Sequence, residues 1–193
     1  MSLRARHPPH RPATTGHRRH AGNLAAMTMR PIRVIGDAVL RSPAEPVTDF
    51  DHHLRDLVTD LMDTLLGAPG RAGVAAPQIG VSARVFVYDA DGHRGHIVNP
   101  VLQLPDDTDT DTDDEGCLSI PGLYFPTPRA RHATVVGVDQ HGEPVTVTGT
   151  GFLARALQHD TDHLDGRLYV DTLRGDTRRQ ALREIRAAHW TRR

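Results

Sequence analysis

His159 and His163 stand four residues apart in the segment Gln158-His159-Asp160-Thr161-Asp162-His163-Leu164-Asp165-Gly166. On a helix this spacing puts both imidazoles on one face, one turn apart, where they can reach a single metal ion. With 13 histidines in 193 residues, about one such pair is expected by chance, so the spacing alone is weak evidence. Asp160 strengthens it. In the H-E-x-x-H pattern the acid after the first histidine takes a proton from the attacking water, and here that acid is one methylene shorter. Phe152 and Ala156 continue the histidine face inward and Leu153, Leu157 and Leu164 form the neighbouring stripe, which predicts a partly buried pair.

Cys117, in Glu115-Gly116-Cys117-Leu118-Ser119-Ile120-Pro121-Gly122, is the one cysteine of the chain, which excludes an intramolecular disulfide. A lone cysteine is most often a small buried hydrophobe. This one follows a glycine where an acidic segment meets a short apolar turn, a setting that could present a thiolate. A thiolate and two neutral imidazoles make three ligands and leave a fourth position open, as in catalytic metal sites. The rival is a cysteine nucleophile with His159 or His163 as base; it needs one histidine, so the pair favours metal. A third segment, GVAAPQIG from Gly73 to Gly80, has small residues that let another backbone approach. Its Gln78 offers an amide donor to an oxygen gaining negative charge. On composition alone this segment reads more simply as a turn at the start of a strand.

The elements that carry these groups follow from periodicity. Leu54, Leu57, Val58, Leu61, Met62, Leu65 and Leu66 fall on one helical stripe that starts near Asp49 or Asp51 and stops at Gly67. Strands are expected at 84–89, 96–102 and 133–139, and a turn at Gln140-His141-Gly142 leads into 145–148 as a hairpin. The histidine helix runs from about Gly151 to Leu164. A last, Arg-rich helix capped by Asp176 or Thr177 extends to about Trp190. The acidic run 105–115 reads as a solvated loop. Helices interleaved with hairpin-connected strands predict an α+β fold, with short antiparallel or mixed sheets around the central histidine helix. An amphipathic helix precedes that centre and a C-terminal helix follows it.

The chain has no lysine, and 23 arginines against 24 acids give a net charge of −1 and a pI near 6.9. That balance gives no support for nucleic-acid binding through overall positive charge. No apolar run approaches a membrane span. The first 26 residues hold five Arg, four His, three Pro and no acid, so the remainder is acidic, at −6. Residues 1–28 are therefore expected to form a disordered basic extension and residues 29–193 a single domain. The HPPHRP stretch argues against the amphipathic helix of an organellar presequence, and read-through ahead of a start at Met27 or Met29 is the simpler account.

In order and separation the three chemical segments resemble the peptide deformylases, whose pattern is G-x-G-Φ-A-A-x-Q-Φ-G, then E-G-C-L-S, then Q-H-E-x-D-H-L-x-G. GVAAPQIG, EGCLSIPG and QHDTDHLDG match, and the resemblance runs from about Met29 to Leu173. It implies a cytoplasmic, bacterial-type hydrolase that removes the N-formyl group from the formyl-methionine of new polypeptides, near the ribosome exit. One Fe²⁺-type ion, replaceable by Zn²⁺ or Ni²⁺, would be held by Cys117, His159 and His163. Gln78 and the Leu118 N–H would face the developing oxyanion, and Asp160 would stand at the general-base position. Gly73 and its neighbours would pair with the substrate backbone. Ala72, Tyr124, Ile120, Leu157 and His159 would surround the methionine side chain, and Glu115 would orient the loop that carries the thiolate. Two positions depart from the pattern: Arg71 stands where its first glycine is expected, and Asp160 replaces its glutamate. A carboxylate withdrawn by about 1.5 Å predicts slower proton transfer, and hence as the alternative a metal-binding homologue with little turnover. A zinc peptidase on H-D-x-x-H would leave the other two segments unexplained.

Overall fold

The computed structural model describes residues 28–106, 109–188 and 190; the expected basic extension lies outside the described residues, apart from Thr28. The first helix, α1 (His52–Leu66), begins where Asp51 accepts hydrogen bonds from the His53 and Leu54 N–H groups. It ends at Gly67. Its buried face, Leu54, Val58, Leu61 and Leu65, packs on one side of the main sheet with Val74, Val85 and Val87, whereas Leu66 turns outward. Because Asp51 satisfies two otherwise unpaired donors, Asp51→Ala is expected to destabilise the protein by about 1 kcal/mol, lowering Tm by roughly 2–4 °C in a thermal melt.

The main sheet is antiparallel, with strands β1 (Gly73–Ala75), β2 (Val85–Ala90), β3 (His93–Gln103), β6 (His132–Val138) and β7 (Pro144–Thr150) in the order β1-β2-β3-β6-β7. Among the described residues strand β1 pairs only with β2, and its other side is an open edge. A separate hairpin joins β4 (Thr110–Cys117) to β5 (Ile120–Ala130). The acidic run is thus only partly a loop. From Thr110 onward it is drawn into the ladder of the long β5, and Glu115 is turned into the interior while Asp113 and Asp114 face outward.

Helix α2 (Gly151–Leu164) lies between these layers. Its apolar face, Leu153, Ala156, Leu157 and Leu164, packs on the opposite side of the main sheet against Phe86, Ile97 and Val135. The Gln158 amide ties it to the hairpin, accepting from the Ala130 N–H at 3.0 Å and donating to the Ala130 carbonyl at 2.9 Å. The last helix, α3 (Gly175–Ala187), starts earlier than expected: Arg174 stands at the cap without a side-chain capping bond, and Asp176 lies inside the first turn, paired with Arg179. Ala181 and Ile185 bury against Ile120, Phe125 and Tyr169 in a third core. The fold is α+β, as the sequence predicts.

Candidate metal and active site

Three ligand atoms converge where α2 meets the tip of the hairpin. The His159 and His163 Nε2 atoms are 3.2 Å apart, and Cys117 Sγ, at the last residue of β4, is 3.2 Å from His163 Nε2. All three lie within 4.8 Å of one another. Tetrahedral bonds of about 2.0–2.3 Å to nitrogen and sulfur imply ligand-to-ligand edges of roughly 3.4–3.6 Å, so this triangle fits a divalent ion after a few tenths of an ångström of expansion. The donor set agrees. Burial opposes charge on Cys117, but the facing His163 and His159 outweigh it and hold the thiol well below its ordinary range. The Ser119 N–H, 3.4 Å from Sγ, adds a donor that favours thiolate.

The orientation of His159 is fixed from behind. Its Nδ1 is 2.7 Å from Glu115 Oε1, and a carboxylate there keeps the ring proton on Nδ1 and leaves Nε2 free to ligate. Glu115 is itself clamped: Arg129 donates to both of its oxygens at 2.7 and 3.0 Å, and Arg155 donates at 2.9 Å. Arg129 also reaches Asp162 Oδ2 at 2.6 Å. Burial alone would raise the Glu115 pKa, yet His159 and Arg129 hold it below the usual carboxylate range. The expected role of Glu115 in orienting its loop is therefore joined by a direct grip on a ligand. Tyr169 stacks beside His159, with centroids 6.2 Å apart, and its hydroxyl donates to the Leu123 carbonyl. Sequence reasoning missed Arg129, Arg155 and Tyr169. A cation within the apolar run Leu153-Ala154-Arg155-Ala156-Leu157 was the available signal, since a buried arginine requires a buried acid. Glu115→Gln is expected to weaken metal retention about 10- to 100-fold in a chelator-competition titration. It should also lower Tm, because two buried guanidinium groups lose their shared counter-charge.

A cavity of about 370 Å³ opens beside this triangle, lined on one side by Ala72 and Gly73 and on another by Leu118 and Tyr124. Phe152, expected to point inward, is exposed at its rim. Ile120 and Leu157, expected around a side-chain pocket, are fully buried in the cores behind it. Gln78 sits in the short turn after β1. Its Oε1 accepts the Ala75 N–H at 2.9 Å, which directs the NH₂ toward Ser119 Oγ at 3.4 Å and Cys117 Sγ at 3.7 Å. Asp160 also lines the cavity and is buried, and its Oδ1 has no hydrogen-bond partner among the described residues. Burial lifts its pKa to about 6. Gly73 makes room for it: a Cβ there would lie 1.8 Å from Asp160 Oδ2.

A Cys/His₂ triangle, beside a cavity that also holds a buried carboxylate and an amide donor, defines a metallohydrolase of the α+β class. The sequence profile described as polypeptide deformylase matches residues 29–179, and the chain belongs to that family, whose metal-dependent members take the N-formyl group from nascent peptides. A peptide deformylase of Acidothermus cellulolyticus is 56% identical over 164 residues, covering 85% of this chain and 89% of its own length. Among solved structures, a peptide deformylase from Legionella pneumophila is 41% identical with a TM-score of 0.74, covering 82% of this chain and 94% of that one. Another, from Thermus thermophilus, is 39% identical with a TM-score of 0.76 and the same coverage. No helix among the described residues is long and apolar enough to cross a membrane.

Proposed function

We propose that Cys117, His159 and His163 hold a single Fe²⁺-type ion, for which Zn²⁺ or Ni²⁺ can substitute, and that the neighbouring groups deformylate formyl-methionyl peptides emerging near the ribosome exit. The observation that carries this reading is the convergence of those three ligands at the wall of a cavity that Cys117, His159, Asp160 and Gln78 line, beside the open edge of β1. When bound, the ion supplies Lewis acidity that acidifies water and polarises the formyl carbonyl. The open edge of β1 at Gly73 pairs with the extended substrate backbone by strand addition. Ala72, Tyr124 and His159 face the methionine side chain. Asp160 accepts the proton of the attacking water as the new C–O bond forms. The Gln78 NH₂ and the Leu118 N–H donate to the formyl oxygen as it gains charge. Asp160 then returns the proton to the leaving nitrogen as the C–N bond breaks, releasing formate and a free amino terminus.

A second reading, a metal-binding homologue with little turnover, is favoured by the short reach of Asp160 alone. A steady-state formate-release assay on a formyl-Met peptide, with the Fe²⁺ or Ni²⁺ form, decides between them. Hydrolysis by the wild type supports deformylation. No hydrolysis by the wild type, with activity restored in Asp160→Glu, supports the homologue. Cleavage of unformylated peptides would point to a peptidase, and activity that survives strong chelator would point to a cysteine hydrolase.

A further inference from the structure

The charges around the cavity are unevenly satisfied. Glu115 and Arg155 are paired with each other inside the wall. Arg71 is the one other cation lining the cavity, and it has no carboxylate partner among the described residues. Its Nη1 donates to the Thr64 carbonyl near the end of α1, which ties the side chain down. Its Nε and Nη2 donors have no protein partner among the described residues. Such a guanidinium, half-buried and held by one hydrogen bond, presents a fixed fork that suits a carboxylate.

Its place along the chain says which part of a peptide it would meet. Arg71 lies two residues before Gly73, where the open edge of β1 begins, and the Cys/His triangle lies toward Gln78 at the other end of that segment. A peptide whose formyl end sits at the triangle and whose backbone follows β1 therefore runs toward Arg71. Two strand residues span about 7 Å, so the guanidinium stands beside the second or third residue of the peptide. We infer that Arg71 is a specificity-determining residue that favours peptides with an acidic side chain at that second or third residue. The inference rests on the proposed deformylase reading for the direction of the peptide, and on the position and free donors of Arg71 for the charge. Asp114, exposed on β4 at the same cavity and without an ion-pair partner among the described residues, disfavours that acid if it stands close by, and provides a control of opposite sign.

The test uses the full-length Ni²⁺-loaded protein and amidated formyl-Met peptides that carry Glu, Ala or Lys at residue two, three or six. Two quantities are read: kcat/KM for formate release, and Kd of the unformylated counterparts, which cannot be turned over. In low salt, Glu at residue two or three is expected to be preferred over Lys about 3- to 10-fold, with no preference at residue six. Arg71→Gln should bring that ratio close to one while leaving the Ala peptides within about twofold, and 0.5 M salt should do the same to the wild type. Equal ratios in wild type and Arg71→Gln, or a preference lost only in Asp114→Asn, would overturn the inference. If formate release is absent but the Kd series keeps an Arg71-dependent preference at residue two or three, the proposed turnover falls while the direction of the bound peptide, and with it the inference, stands.

Discussion

Cys117→Ala is expected to leave the protein folded but nearly free of metal and inactive. The loss of affinity should exceed about 100-fold, the upper end for residues that merely support a ligand. Cys117 reaches the triangle from the hairpin, and its side chain is small, so alanine leaves little void. What disappears is the anionic ligand. The two imidazoles that remain are neutral when they ligate, and two neutral nitrogens hold a divalent ion far less tightly than a set that includes thiolate. Metal analysis after dialysis and a far-ultraviolet spectrum together check the prediction. A variant that kept one equivalent of metal would refute the ligand assignment, whereas loss of the native spectrum would mean that Cys117 acts in folding.

The second large effect concerns Asp160. Asp160→Asn keeps size and burial but removes the base, so kcat should fall by roughly 10²–10⁴ with metal content unchanged. Asp160→Glu should move the opposite way, raising kcat about tenfold as the carboxylate advances toward the ligand triangle. There is room for the change: the side chain faces the cavity, and its Oδ1 gives up no hydrogen bond in moving. Gly73 is the structural partner of Asp160, since any side chain there would collide with its carboxylate. A wild type faster than Asp160→Glu would show that the cavity is already fitted to the shorter acid.

Much of this site was legible in the sequence because its parts are local. The i,i+4 histidines need only one helix, whose bounds at Gly151 and Leu164 match those read from the apolar stripe. Asp51 and Gly67 mark the ends of α1 by ordinary capping chemistry. The rest was set by contacts that periodicity does not encode. The acidic residues 110–115 look like a loop in isolation and become a strand only because β5 lies beside them. The Glu115–Arg129–Arg155 cluster joins residues 14 and 40 positions apart, a pairing invisible without the hairpin that folds them together. Ile120 and Leu157 are apolar and near the right segments, but strand alternation and helix phase turn them to the cores.

The three-residue edge of β1 has a consequence for solubility. An unpaired strand edge can template another copy of the same chain and seed aggregation. Here the exposed ladder is confined to Gly73–Ala75, where Val74 and Ala75 are buried and a 3₁₀ turn at Ala76 ends the strand at once. Such an edge can offer hydrogen bonds to a visiting strand of a few residues, yet it is too short to nucleate a growing sheet. Lengthening β1 would extend the edge proposed to pair with peptides and, by the same hydrogen bonds, expose the protein to self-association.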